Sequence, residues 1–447
     1  ELNKGIESGR EKRRNALSPT AAPNRGLCVH DWYLMPEAYS EALVLGAIEK
    51  YGIKPRDVIL DPFSGTGTTA ITAALNGINA VGLEINPFLY FASRVKLNWR
   101  IDLKEFKKSL KHLTEEVQSL LEGLTVENDS ESLPHQSIVE KTKSILASTD
   151  EPSMPRLYEW MTEVVVQKVL IIRYTIEKYV PSEIQPHFLL ALASILCPVS
   201  NMKLTPHAFG SQKRKEDAPV YELFVQKLEK IYEDLKCLQA SKKEFGQTQI
   251  YNCDSRSAYS IKSNFFPVDL AITSPPYLNN LDYTMQTRME LFFLGFINSM
   301  LELRDLRKSM VICDAKAMYK DVKDSEVVQD IQIVQKLASQ LREAHAGKNW
   351  GWDYAFMTTQ YFGGMYKILQ SVQPSLKDGA RFILVVGESV HSGVKLPLPD
   401  VVAELGEMTG YKLEEINVIR KRRSSSHKHE IAESEVILQK TSSKTFF

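Results

Sequence analysis

An α/β fold on a mostly parallel sheet is what this chain predicts, from three observations. A strand, a glycine-bearing turn, a helix and a second strand follow one another between Asp57 and Ile85. Far downstream the apolar run Val268-Asp269-Leu270-Ala271-Ile272-Thr273 stops at two prolines. Between them lies a long segment whose apolar residues recur at helical rather than alternating spacing.

The first unit begins with a buried strand, Asp57-Val58-Ile59-Leu60-Asp61, and turns through Pro62-Phe63-Ser64-Gly65-Thr66-Gly67-Thr68-Thr69. A helix, Ala70-Ile71-Thr72-Ala73-Ala74-Leu75, stops at Asn76-Gly77, and the second strand is Ala80-Val81-Gly82-Leu83-Glu84-Ile85. Gly65 and Gly67 let backbone approach a ligand, and Glu84 at the second strand end can accept from both hydroxyls of a ribose. A phosphate-cradling loop wants a lysine after the glycines, but Thr68 and Thr69 stand there, and the three-glycine dinucleotide spacing is not met. A ligand with a ribose and no pyrophosphate fits better; the alternative is an ordinary tight strand-to-helix turn.

The second unit ends in Ser274-Pro275-Pro276-Tyr277. Proline fixes φ and cannot continue a sheet, so the corner gathers a hydroxyl, two rigid carbonyls and an aromatic face at one spot. Such a corner can hold a flat ring that carries an amino group.

Together, Asp61-Pro62-Phe63-Ser64-Gly65-Thr66-Gly67-Thr68-Thr69 and Thr273-Ser274-Pro275-Pro276-Tyr277 resemble the cofactor and catalytic motifs of the S-adenosylmethionine-dependent DNA amino-methyltransferases. Gly82-Leu83-Glu84-Ile85-Asn86-Pro87 is similar to that family's ribose-binding strand end, and Asn252-Cys253-Asp254-Ser255-Arg256 to the one whose Asp touches the adenine amine. Gly379 to Gly387 resembles its next core strand, and His30 to Pro36 the segment covering the methionine end of the cofactor. The resemblance spans residues 26–103 and 246–440.

It implies a Rossmann-like class I methyltransferase fold: a mostly parallel seven-stranded sheet with helices on both faces, plus a helical insertion. One antiparallel strand is expected near Glu435 to Leu438, paired with Leu413 to Arg420 as a hairpin. The implied cofactor is S-adenosylmethionine, held by Trp32, Asp61, Phe63, Ser64, Gly65, Gly67, Thr68, Thr69, Glu84, Asn86, Asp254, Ser255 and Thr273. The implied catalytic tetrad is Ser274, Pro275, Pro276 and Tyr277; no metal is needed. In that family serine at the first tetrad position is associated mainly with cytosine N4, and Asn or Asp with adenine N6. The expected protein is therefore a site-specific DNA cytosine-N4 methyltransferase acting on double-stranded DNA with the target base flipped out, with a restriction endonuclease as a further partner that the family allows. The alternatives are adenine N6, an amino group in RNA, and a catalytically silent nucleic-acid-binding protein. The cofactor turn precedes the catalytic corner, the reverse of many serine-type members.

The chemistry follows from what an exocyclic amine lacks. Its lone pair is delocalised into the ring until hydrogen bonds pull the nitrogen toward tetrahedral geometry. Ser274 Oγ and the Pro275 carbonyl can each accept one N–H while Tyr277 stacks on the ring. Serine is too weak a base to remove the proton first, so deprotonation follows transfer, with Asp282 as a candidate acceptor beside its alternative as a helix cap. A base inside a duplex cannot reach such a corner without being flipped out.

Composition sets limits. The 447 residues, 43% hydrophobic and 25% charged, suffice for one large core or two modest ones. The formal charge is +0, where a duplex binder is expected to expose a basic face. Three clusters supply local asymmetry: Lys4, Arg10, Lys12, Arg13, Arg14 and Arg25; Lys203, His207, Lys213, Arg214 and Lys215; and Arg420-Lys421-Arg422-Arg423 with Ser424 to His429 at a hairpin tip. Each singly could be a solvated face; three flanking one core favour phosphate contact. Cys28, Cys197, Cys237, Cys253 and Cys313 show no close pairing, which points to reduced thiols in a cytoplasm. Phe188 to Val199 is too short and interrupted to cross a bilayer, and the N-terminus is charged where a signal peptide would be apolar.

The organisation expected is a basic arm over 1–25, the cofactor-binding part of the core over 26–103, a helical insertion over 104–245 packed on the sheet, and the catalytic part over 246–447 with a variable block at 278–364. Within the insertion, Leu103 to Leu124, Leu157 to Tyr179, Pro186 to Leu196 and Val220 to Glu244 read as helices, with loops at Glu127 to Gln136 and Asn201 to Pro219. The insertion or the variable block is expected to read DNA sequence. Tyr283 and Arg288 to Leu294 resemble the helix lining the cofactor pocket, and the patch Asn349 to Tyr354 reads as core or interface rather than a base-stacking platform.

Overall fold

A computed structural model describes residues 19–125, 133–203, 210–211, 215–317, 319–347, 352–424 and 429–442. Much of the basic arm, His207, Lys213 and Arg214, Ser425 to Lys428, and Asn349 to Gly351 lie outside them.

The main sheet contains β1 (Val58–Asp61), β2 (Asn79–Leu83), β3 (Thr248–Tyr251), β4 (Val268–Thr273), β5 (Leu376–Gly387), β6 (Tyr411–Arg423) and β7 (Glu430–Lys440). Among the described residues it has seven strands in the order β3-β2-β1-β4-β5-β7-β6. All neighbours pair parallel except β7, which runs antiparallel between β5 and β6. This is the Rossmann-like methyltransferase arrangement, and the expected hairpin is present with Glu435 opposite Asn417.

Side-chain alternation divides the strands between two layers. Ile59, Ala80, Leu270, Ile272, Ile383, Val385 and Ile437 pack under α1 (Glu41–Lys50) and α2 (Thr68–Leu75). On the other face Leu60, Val81, Ala271, Phe382, Leu384, Val386 and Val436 meet residues of α10 (Gln332–His345), α11 (Tyr354–Val372) and α12 (Leu398–Met408). The longer of the remaining described helices are α3 (Pro87–Leu97), α4 (Leu103–Thr125), α5 (Leu133–Ser148), α6 (Glu163–Tyr179), α7 (Gln185–Val199), α8 (Val220–Ala240) and α9 (Met300–Ser309), with short helical turns at Leu157–Trp160, Tyr283–Gln286 and Arg288–Phe293.

The insertion is helical but does not pack on the sheet as expected. Its core joins α4, α6, α7 and α8 to α3, to Val29–Met35 and to Met289–Phe293, and holds no side chain of a main-sheet strand. It forms a third layer because α3 already covers that region and offers Phe88, Leu89, Ala92 and Val95 outward. Helix α7 is apolar all round because helices enclose it, with Phe188, Leu190, Leu192 and Leu196 fully buried. Helix α5 begins inside the stretch expected to be loop, and the helix expected over Leu157 to Tyr179 breaks at Met161, which is extended. Among the described residues no helix is long and apolar enough to cross a membrane.

Candidate active site

Parallel strands bring their carboxyl ends to one edge, and the two motifs meet there. A cavity of about 350 Å³ is lined by Asp61, Phe63, Ser64, Gly65, Thr68, Glu84, Asn86, Asp254 and Ser255 from the first three strand ends, and by Ser274, Pro275, Pro276 and Tyr277 from the fourth. That size suits a small-molecule site.

A buried network fastens one motif to the other. Asp61 accepts from Thr273 Oγ1 at 2.6 Å, Thr69 Oγ1 at 2.7 Å, Tyr39 Oη at 2.9 Å and the Phe63 amide at 3.0 Å. Burial raises the Asp61 pKa, and the four donors work against that rise. Thr69 and Thr273, expected as cofactor contacts, are fully buried with their hydroxyls committed to Asp61, so they position the loops from behind the cavity wall. Gly67 also stands behind it: its φ of 84° caps α2, and a Cβ there would lie 3.1 Å from Ser93 Cβ.

Glu84 Oε2 accepts from the Gly65 amide and Oε1 from the Asn86 amide, both at 2.8 Å. Burial pushes its carboxyl up to about 7, held back by those amides. Each oxygen retains acceptor capacity toward the cavity. Asn86 has its side chain spent as the cap of α3, accepting from the Phe88 and Leu89 amides and donating to Thr287. Asp254 caps the turn after β3 and pairs with Arg256 at 2.7 Å, while Arg256 also reaches Asp324 and the Ser309 carbonyl. This ties the third strand end to the variable block. Ser64 Oγ and Glu37 Oε2 are buried in the cavity wall without hydrogen-bond partners among the described residues, as polar ligand-facing atoms would be.

Trp32 is not brought to the cavity. Its indole N–H donates to Asp234 Oδ2 at 2.8 Å, so the start of the His30–Pro36 segment anchors the insertion through α8, while Met35 and Pro36 at its end line the cavity. The apolar part of the helix Arg288–Phe293 likewise enters the insertion core; only Tyr283 of that stretch lines the cavity, and its hydroxyl accepts from the Tyr277 amide at 3.0 Å. Asp282 caps the turn starting at Tyr283 and pairs with Arg307, which fits a structural role better than proton transfer.

Tyr277 stands against Gly387 and Glu433: a Cβ added to Gly387 would lie 3.1 Å from its ring and 3.3 Å from Glu433 Cγ. Burial raises its phenol pKa, and the charge of Glu433 raises it further. The sequence reading missed Glu37, Tyr39 and Glu433 in this site. Tyr39 and Glu37 carry no motif; Glu433 could have been found from its place on a strand opposite a basic one.

The sheet order and the shared cavity define a Rossmann-like methyltransferase. The N6/N4 methylase family model, described as DNA methylase, matches residues 10–93. The Type II methyltransferase M.BsoBI of Geobacillus stearothermophilus is 25% identical over 427 residues, covering 90% of this chain and 82% of that protein. M.AvaI of Nostoc sp., also a Type II methyltransferase, is 24% identical over 426 residues, covering 89% and 82%. The Type II methyltransferase M.MjaII of Methanocaldococcus jannaschii is 43% identical over 54 residues, 12% of this chain and 10% of that protein. Family model and relatives together support placing the chain with the DNA amino-methyltransferases.

Proposed function

We propose that this protein methylates the N4 amine of cytosine in DNA, at a base extruded from the duplex, with S-adenosylmethionine as donor. The observation that carries the reading is the single cavity walled by the glycine turn, Glu84 and the Ser274–Tyr277 tetrad. The residues present suit this cofactor: Glu84 for the ribose hydroxyls, Asp254 for the adenine amine, and the unpartnered Ser64 Oγ and Glu37 Oε2 for polar groups of its methionine end. When bound, the cofactor supplies an electrophilic methyl group.

The chain's own task is to hold the amine. Ser274 Oγ and the Pro275 carbonyl accept its two N–H groups, and the Tyr277 ring, braced by Gly387, supports the base face. Tyr283 fixes the corner by accepting from the Tyr277 amide. The apolar walls exclude water, and positioning supplies most of the acceleration. The serine at the first tetrad position favours cytosine over adenine N6, as the family resemblance implies.

Purified protein is incubated with DNA and methyl-labelled S-adenosylmethionine, and the DNA is digested to nucleosides and resolved by mass. N4-methylcytosine is expected; N6-methyladenine would replace the cytosine reading with the adenine one. Ser274→Ala should lower the rate by about 10²- to 10³-fold, the cost of losing one preorganised hydrogen-bonding group, with cofactor binding retained. Label in neither base of DNA, with cofactor bound normally, would sink the proposal.

A further inference from the structure

Beside Tyr277, the cavity wall contains two cations that the tetrad chemistry does not use. Arg420 and Arg422 lie two residues apart near the carboxyl end of β6, and both line the cavity with Glu433. Glu433 is 3% exposed and stands opposite both Arg420 and Gly387 in the sheet. It accepts from Arg420 Nε at 2.7 Å, a second Arg420 nitrogen at 2.9 Å and Arg422 Nε at 3.3 Å. A buried carboxylate thus aims two guanidinium groups whose side chains stay 44% and 39% exposed. Of the five N–H groups on each guanidinium, Arg420 commits two to Glu433 and Arg422 one.

Two arginines against one carboxylate leave net positive charge at the edge of the site where an extruded base must enter. A base delivered to Tyr277 brings its phosphodiesters to that edge, and forked guanidinium donors match phosphate oxygens. We propose that Arg420 and Arg422 seat a phosphodiester of the target strand beside the extruded nucleotide, with Glu433 as the positioning residue for both. This rests on the DNA methyltransferase reading above. It assigns to the last paired residues of β6, just before the hairpin turn, the contact that holds the flipped nucleotide.

The test uses full-length protein, S-adenosylhomocysteine, and a short duplex carrying the methylated site found by sequencing treated DNA. Binding is followed by fluorescence anisotropy across a salt series for wild type, Arg420→Gln and Arg422→Gln. Each variant should bind about tenfold more weakly, with the salt slope reduced by about 0.9 for one lost phosphate contact. The loss should be the same on a duplex abasic at the target position, and S-adenosylhomocysteine affinity should not change. Wild-type affinity and slope in both variants, or a loss that disappears on the abasic duplex, overturns the proposal. If Arg420→Gln loses S-adenosylhomocysteine binding through misfolding, Arg422→Gln, which gives up a single bond to Glu433, decides. A wild-type protein that binds no DNA at all overturns the functional reading itself.

Discussion

Thr273→Val removes the hydroxyl that joins the two motifs while keeping the side-chain shape. It deletes the 2.6 Å hydrogen bond to Asp61 Oδ1 and the 3.2 Å acceptor for the Phe63 amide, and leaves Tyr39, Thr69 and the Phe63 amide on Asp61. A buried hydrogen bond to a charged group contributes about 1.5–3 kcal/mol, and the added methyl returns less than about 0.8 kcal/mol. The expected net loss is about 1–2 kcal/mol. Its pH dependence has a definite sign. Burial already raises the Asp61 pKa and the Thr273 hydroxyl lowers it, so the variant raises it further. Extra destabilisation appears where Asp61 is ionised and fades as pH falls and the group protonates in both proteins. Because the glycine turn is no longer tied to the tetrad, methyl transfer should fall more than cofactor affinity does. Urea unfolding at several pH values, together with calorimetric S-adenosylhomocysteine binding and turnover, measures all three. A variant as stable as wild type at neutral pH, with unchanged turnover, refutes the view that Asp61 couples the loops.

Other expectations are equally specific. Gly387→Ala places a methyl 3.1 Å from the Tyr277 ring, so turnover should drop several-fold while S-adenosylhomocysteine affinity is kept; unchanged turnover would mean the ring position is not critical. Glu84→Gln should weaken cofactor binding about 10- to 100-fold, the range for one charge-assisted hydrogen bond. Wild-type affinity should rise with pH through about 7 as Glu84 ionises, since ribose hydroxyls donate to the carboxylate, and the variant should show less of that rise. In the apo protein the same raised pKa works oppositely: the unfolded chain ionises first, so this group's contribution to stability declines as pH climbs from 4.5 toward 7. Asp234→Ala strands the Trp32 indole and Val29 amide donors and leaves Lys230 without its carboxylate, and should cost about 3 kcal/mol of stability, with Asp234→Asn milder; thermal unfolding reads the difference.

Much of the fold was legible because its signals are local. The run Val58–Asp61, the turn at Gly67, the two prolines after Thr273 and the β6–β7 pair announce themselves within a few residues each. Helical spacing at Phe106, Leu110, Leu113, Val117, Leu120 and Leu121 likewise predicted an apolar stripe; Phe106, Leu113, Val117 and Leu120 are buried, and Leu110 and Leu121 partly so. Where two local signals competed, the reading slipped: the polar approach to α5 concealed its start, and a helix-period run hid the break at Met161.

The residue types at Ser274–Tyr277, the glycine turn and Glu84 belong to the chain itself, because each is a short motif whose chemistry needs only its own neighbours. Which residues face a ligand and which brace those that do was decided by folding. Thr69, Thr273 and Trp32 have the right chemistry in the right motif, yet their polar groups are claimed by Asp61 and Asp234. Arg420 and Glu433 are distant from the tetrad in sequence and reach it only because β7 runs antiparallel beside β5. Hydrogen-bond partners buried from opposite ends of a chain depend on strand order and register, and no local pattern of residues encodes those alone.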